Sequence, residues 1–298
     1  MMRVIRFALA NSPRLGLETE QERLDLTAVL AELRPELGSV TSPVELMEAG
    51  LFHLEFFREI AASRAARRHL VETKARLLTP IPRPGKVIAL GLNYATHARE
   101  SGREPPEEPI IFSKATTAVI GPEQPVVYKR FLTRVDPEVE LGLVIGKPGA
   151  NIALGRAREH IAAYTVVNDV TARDMQSRDL AQARPWFRSK SIDTFCPIGP
   201  CLVPAEALGW PLELDLEMRV NGERRQRDNT RNLIFDPARL VEFISRFMTL
   251  EPGDVIATGT PEGIAPVQPG DVMEAEVERI GVLRNPVVQE ETPSPRGD

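Results

Sequence analysis

Two cysteines in 298 residues leave little room for disulfide or zinc chemistry. Cys196 and Cys201 form neither a CxxC pair nor a zinc constellation, and they read as buried thiols of a cytoplasmic protein. Long apolar runs are missing too: none approaches the roughly 20 residues that span a bilayer, so no membrane role is expected. The opening "MMRVIRFALANSPRLG" lacks a sustained apolar core, which argues against a secretory signal. Basic residues are not in excess, 37 Lys and Arg against 42 Asp and Glu, and a formal charge of -5 argues against a nucleic-acid partner. Glycine-rich phosphate loops are absent as well, since "GLVIGKPG" carries neither a Walker nor a dinucleotide fingerprint.

What is present is an ordinary globular composition, 42% hydrophobic and 27% charged, long enough for one large domain and a small one. The 26 prolines favour strand–turn connections over a helical bundle. A strand-like start (3–10) precedes "DLTAVLAELRPELG", which has helical spacing and ends at a glycine. "SPVE" (42–45) is a capping box with Ser42 as N-cap and Pro43 at the first helical position. It opens an arginine-rich run, helical in pattern, to about Leu78. "TPIPRPGK" (79–86) is the expected domain boundary. Beyond it the chain reads as short strands: "KVIALGLN", "IIFSKA", "VVYKRF", "YTVVNDVTARD" and the alternating "LELDLEMRVNGERR", with Asn221–Gly222 as a hairpin turn. "DPARLVEFISRFMTL" (236–250) is a helix capped by Asp236, and "EPGD" and "QPGD" bracket the strand "VIATGT". The polar end, 290–298, reads as a disordered tail.

The chemistry-bearing residues sit in this β-rich part. "VDPEVELGLVIGK" (135–147) reads as a buried strand carrying Glu138 and Glu140 two apart, hence on one face, where like charges repel. Alone, the pair reads equally as a solvated strand face. Asp169 interrupts the apolar "TVVNDVT", where an unpaired charge is costly. Three strand carboxylates without a nearby His or Cys match the all-oxygen preference of Mg²⁺ or Mn²⁺. In "GLNYATHARES", Asn93 reads as an N-cap, and His97 and Glu100 are three apart on one helix face. A carboxylate that orients an imidazole suits a general base, although such a pair is also an ordinary surface contact. His53, His69 and His160 read as surface or packing residues, the last in a helical "GRAREHIAAY". Lys114 and Lys190 stand among partly buried neighbours and need an anion. Thr258 and Thr260 flank Gly259 in "TGTP", where donors can approach a ligand or simply close a turn. Arg173 in "TARD" can brace its loop through Asp174.

Taken together, "GLNYATHARE", "PIIFSK", "DPEVELGLVIGK", "NDVTARDMQ", "RPWFRSKSIDTFCPIGP", "NGE" and "ATGTPEG" occur in an order that resembles the fumarylacetoacetate hydrolase family over roughly 79–289. The first ~80 residues resemble the small N-terminal domain of the longer bacterial members. The resemblance implies an α+β fold, mostly β: a mixed β-sheet roll or sandwich-like barrel at 79–289, after a small α+β N-terminal domain at 1–78. It also implies a homodimer with Mg²⁺ or Mn²⁺ held by Glu138, Glu140 and Asp169, and a 2-keto acid chelated through two oxygens. It gives Lys190 as the active-site lysine, and Lys114 and Thr260 as contacts to the substrate carboxylate or enolate. Arg173 and Gln176 belong to a substrate-facing loop, and His97 with Glu100 activates water. The expected reaction is hydrolytic C–C cleavage of a 2,4-diketo acid. The alternatives are decarboxylation of oxaloacetate-like acids and isomerisation of hydroxymuconate-type dienes. One departure stands out: many relatives have a second glycine after "TGTPEG", where this chain has Ile264–Ala265–Pro266.

Overall fold

The computed structural model describes residues 1–20, 22–71 and 75–291; of the tail expected at 290–298, residues 292–298 lie outside the described residues. The first stretch supplies β1 (Arg3–Leu9), β2 (Ser12–Glu18), β3 (Arg23–Asp25), α1 (Leu26–Leu33), α2 (Pro43–Glu48), α3 (Leu54–Ala62) and β4 (Leu77–Leu78). Then come β5 (Val87–Gly91), α4 (Ala95–Glu100), β6 (Ile110–Lys114), β7 (Val119–Ile120), β8 (Val126–Tyr128), β9 (Val135–Asp136) and β10 (Val139–Ile145). β11 (Ile161–Asn168), β12 (Thr171–Ala172), α5 (Arg173–Ala181), α6 (Phe187–Lys190) and β13 (Cys196–Pro204) follow. The last group is β14 (Asp215–Val220), β15 (Glu223–Asn229), α7 (Pro237–Ile244), β16 (Val255–Ala257), β17 (Val272–Val277) and β18 (Gly281–Gln289).

An eleven-stranded sheet runs β3-β2-β1-β13-β11-β10-β16-β5-β6, with β4 on β1 and β7 on β13. A five-stranded sheet runs β15-β14-β17-β18-β8. The expected mixed-sheet α+β architecture is what forms, and both strand orders are open, without closure into a barrel. Asn221 and Gly222, both at positive φ, make the tight turn between β14 and β15.

β10 lies between β11 and β16, and all seven of its residues are buried. Val139, Leu141, Leu143 and Ile145 pack with Leu216, Met218, Met273 and Ala275 of the five-stranded sheet. Burying each of the larger of these side chains stabilises by about 1.5–3 kcal/mol. Val144 belongs to the opposite core, with Leu30 and Phe57 of the N-terminal stretch. That stretch joins the large sheet directly, since β1 pairs antiparallel with β13 through Val4 and Leu202. The strand that carries the acids is therefore held from both faces.

Three local expectations need correction. The run after Ser42 is not one helix. Ser42 Oγ does cap α2, accepting from Val44 N at 3.3 Å, but α2 closes with Leu51 N donating to Leu46 O at 2.8 Å. α3 then restarts on His53, whose Nδ1 accepts from Phe56 N at 3.2 Å. "GRAREHIAAY" is a 3₁₀ stretch to His160, and Ile161 begins β11, because a central strand buries those apolar residues better than a helix would. Asn93 does not cap α4; Tyr94 occupies that position without a side-chain bond.

Candidate active site

The acids meet because of strand register. In the β10–β11 pair Val139 faces Asn168, so Glu138 and Asp169 stand opposite one another just past the strand ends. Asp169 N donates to Glu138 O at 2.9 Å, and Glu138 N donates to Asn168 Oδ1 at 3.0 Å. Glu140 lies two residues along the same face. Glu138, Glu140 and Asp169 are 3%, 1% and 0% exposed, which excludes a solvated strand face. One carboxylate oxygen from each lies within 4.8 Å of the others, close enough to hold a metal ion.

Such a cluster needs positive charge, and the chain supplies part of it. Lys114, at the end of β6, donates from Nζ to Asp169 Oδ1 and, at 3.3 Å, to Val170 O. Lys190, at the end of α6, donates from Nζ to Glu138 Oε2 at 2.7 Å and to Asp169 Oδ2 at 2.6 Å. Arg173, the first residue of α5, donates from Nη2 to Glu138 Oε1, from Nε to Asp136 Oδ2 at 2.8 Å and from Nη1 to Gln176 Oε1 at 2.6 Å. Burial alone would raise the Glu138 carboxyl, but Lys190 and Arg173 hold it well below the usual carboxylate range. Burial would likewise lower the Lys190 ammonium, and Asp169 and Glu138 keep it above its ordinary value.

Glu140 is different. No ion pair to it is formed among the described residues; Gly259 N donates to its Oε2 at 2.7 Å. Burial, then Asp169 and Glu138, push its carboxyl well above the ordinary value. A divalent cation would reverse that. The donor set suits one: all oxygen, all carboxylate, each with lone pairs to spare beside its lysine or amide contact. The Gly259 amide reaches Glu140 because the backbone there takes φ 98°, and a Cβ would lie 2.8 Å from Asn93 Cβ. Asn93 thus serves the site rather than a helix cap. Its Nδ2 donates to Thr258 O at 2.7 Å, and its Oδ1 accepts from Phe235 N at 2.8 Å.

Across a cavity of about 450 Å³ stands α4, which carries His97 and Glu100. His97 Nδ1 and Glu100 Oε2 are 3.1 Å apart, and Glu100 Oε1 accepts from Gly263 N at 2.9 Å. One carboxylate therefore ties the imidazole to the loop after β16. His97, Glu100, Glu138, Arg173, Gln176, Lys190 and Thr260 all line this cavity, whereas Lys114, Glu140 and Asp169 lie behind its wall. Ile264 lines it too, at the sequence departure. Thr260 Oγ1 donates to Val139 O at 2.9 Å and accepts from Gln226 Nε2 at 2.8 Å, so its hydroxyl positions β10. His53, His69 and His160 bond elsewhere, to Phe56 N, Glu32 and Lys147 O.

Some residues of the site escaped the sequence reading. Asp136, inside the quoted acid stretch, anchors both Arg134 and Arg173. Gln226 also accepts from Val139 N at 3.0 Å. As the one buried residue of β15, "ERRQRDN", it could have been flagged as the neutral residue in the middle of a charged run. Phe112 and Trp186, edge to face at 5.5 Å, wall the cavity. Nothing local in the sequence signals that contact.

A buried carboxylate triad that could hold a metal ion, beside a cavity that also carries an imidazole–carboxylate pair, makes a candidate acid–base site on a mixed-sheet fold. Residues 86–288 match the model described as fumarylacetoacetate (FAA) hydrolase, C-terminal, and the chain belongs to that family. It is 39% identical over 298 residues to a mitochondrial oxaloacetate tautomerase of Bos taurus, covering 96% of this chain and 92% of the relative. The fumarylacetoacetate hydrolase of Exiguobacterium antarcticum superposes with a TM-score of 0.81 at 34% identity, covering 97% of this chain and all of that one (100%). The fumarylpyruvate hydrolase of Pseudomonas aeruginosa, solved with Mn²⁺ and pyruvate, gives 0.67 at 38% identity, over 74% of this chain and 93% of that one. Family members include hydrolases, isomerases and tautomerases, and this chain is an enzyme of that group. Among the described residues no helix is long and apolar enough to cross a membrane.

Proposed function

We propose that the protein is a Mg²⁺- or Mn²⁺-dependent enzyme that forms and quenches the enolate of a 2-oxo acid, with hydrolytic C–C cleavage of a 2,4-diketo acid as its reaction. The observation that carries this is that the His97–Glu100 pair lines the same cavity as Glu138, the one member of the buried acid triad that reaches it. Glu138, Glu140 and Asp169 would hold the cation, which supplies Lewis acidity toward the carboxylate and 2-oxo oxygens of the substrate. Glu100 fixes the Nδ1 side of His97, leaving Nε2 to take a proton from water, which attacks the distal carbonyl. Lys190 faces the cavity and favours negative charge developing there, and His97 returns the proton to the product carbon. Lys114 serves from behind, holding Asp169, and Thr260, at the cavity wall, holds β10. Arg173 and Gln176 form the wall toward α5. Loss of either role can be read separately from metal binding.

A second reading is tautomerisation of oxaloacetate, supported by the relative of that name, which matches nearly the whole chain. It uses the same proton shuttle at His97 and needs no attacking water. Assaying acetylpyruvate, oxaloacetate and a hydroxymuconate derivative side by side, with Mn²⁺ and after chelation, tests both. Pyruvate released from acetylpyruvate supports hydrolysis. Enol–keto exchange of oxaloacetate without release of pyruvate and carbon dioxide supports the second reading, and metal-independent turnover would sink both. The free, buried thiols of Cys196 and Cys201 support a reducing, cytoplasmic setting. A homodimer belongs to the same proposal, and light scattering of the purified chain checks it.

A further inference from the structure

Four permanently cationic side chains line the cavity, Arg103, Arg134, Arg173 and Lys190, against two carboxylates, Glu100 and Glu138. Three of these cations are engaged. Lys190 and Arg173 hold the buried acids, and Arg134 Nε donates to Asp136 Oδ1 at 2.9 Å. Arg103 is the exception: its guanidinium is exposed and makes no ion pair among the described residues. An exposed arginine is usually just solvated, so position has to decide. Arg103 N donates to Ala98 O at 2.9 Å, and Gly102 N to Arg99 O at 2.9 Å, the paired closure of a Schellman motif. The backbone of Arg103 is thus fixed to the end of α4, the helix that bears His97 and Glu100, while its side chain stays available at the cavity rim.

We propose that Arg103 binds the far carboxylate of a dicarboxylic 2-oxo acid, so that the substrate is read at both ends, by the acid triad and its cation at one and by Arg103 at the other. This rests on the 2-oxo acid reading above and narrows it to dianions. The cavity, about 450 Å³, is roomy for a chain longer than pyruvate. Guanidinium is the side chain best matched to a carboxylate, through two parallel N–H donors. Because the Arg103 backbone is tied to the end of the short helix that carries His97, an anion held at the rim also steadies the imidazole over the reacting carbon.

The test compares 2-oxoadipate with 2-oxohexanoate, which share the chelating end and differ at the far one. Calorimetry on the full chain loaded with Mn²⁺ is expected to show about 10- to 100-fold tighter binding of 2-oxoadipate, the usual size of one charge-assisted contact. R103Q should remove that preference and leave 2-oxohexanoate binding unchanged, with R103K restoring part of it. A preference that survives in R103Q, or equal binding of both acids to the unaltered chain, overturns the assignment of Arg103 alone. Equal weakening of both acids in R103Q would mean that the arginine only props the helix, which also overturns it. If Mn²⁺ binds but neither acid does, the 2-oxo acid reading itself falls and takes this one with it.

Discussion

The floor and the rim of the cavity are built on opposite principles. At the floor, Glu140 sits on β10, packed from both faces, and Glu138 and Asp169 stand just past the ends of β10 and β11, bound by two lysines and an arginine. At the rim, a six-residue helix without a side-chain cap carries His97 and Glu100, and exposed Arg103 follows it. The floor spends rigidity on charges that would otherwise repel. The rim holds its groups by few bonds, of which Glu100 to Gly263 is the main tie across the cavity. A site divided this way can keep its cation fixed while the substrate-facing groups vary, which fits a family hosting several reactions on one fold.

The largest effect should come from unbalancing the floor. Lys190→Met leaves Glu138 and Asp169 short of a shared cation in a buried site, where breaking such a pair costs about 3–5 kcal/mol. Thermal melts of the metal-free variant should fall accordingly, and Mn²⁺ should restore part of the loss by replacing the missing charge. A metal-free melt equal to that of the unaltered chain would show that the floor is not charge-balanced by Lys190.

Glu140→Gln should separate stability from metal binding. Its carboxyl already lies well above the ordinary range because burial and two acids oppose its charge. A neutral isostere removes that repulsion, so the metal-free protein should melt no lower than before and somewhat higher. Mn²⁺ affinity should drop by about 100-fold or more, beyond the usual cost of losing only a ligand's supporting partner. Titration calorimetry and a chelated melt read the two effects, and retained affinity would remove Glu140 from the ligand set.

The rim is probed at Gly263, where φ is 97° and an added Cβ would fall 2.2 Å from Arg225 O. Gly263→Ala must shift the loop whose amide holds Glu100, at about 1–3 kcal/mol of stability. Turnover should fall while Mn²⁺ affinity stays within about threefold, an affinity change under about 0.7 kcal/mol. Equal losses of both would mean that floor and rim are one mechanical unit.

This contrast also governs how much the sequence disclosed. The floor was legible because strand alternation is a strict local code: Glu138 and Glu140 two apart must share a face, and Asp169 in an apolar run must find a partner. The hairpin at Asn221–Gly222 and the start of α7, with Asp236 accepting from Arg239 N at 2.9 Å, were legible from local signals too, although the helix expected to run to 250 ends at Ile244. The run after Ser42 misled because helical periodicity continues through a turn closed by backbone bonds, which leave little trace in composition. Asn93 looked like a cap because caps and loop anchors use the same side chain; only the arrival of Thr258 and Phe235, more than a hundred residues away, distinguishes them. That Arg103 has no ion-pair partner among the described residues is a matter of long-range placement, which no local pattern encodes.

The smallest expected effect lies deepest. Cys196 and Cys201 are buried in the sheet that supports the floor, and burial pushes both thiols up to about 12. The sign follows from desolvation, which disfavours the thiolate, so at pH 8 only about one thiol in ten thousand is ionised by the usual logarithmic relation. Native protein should therefore give almost no reaction with a thiol-specific disulfide reagent at pH 8 over an hour, and two equivalents should appear in denaturant. Rapid labelling of Cys196 without denaturant would mean that β13 opens readily. The rigid floor would then be rigid only on average, and the division between floor and rim would lose its physical basis.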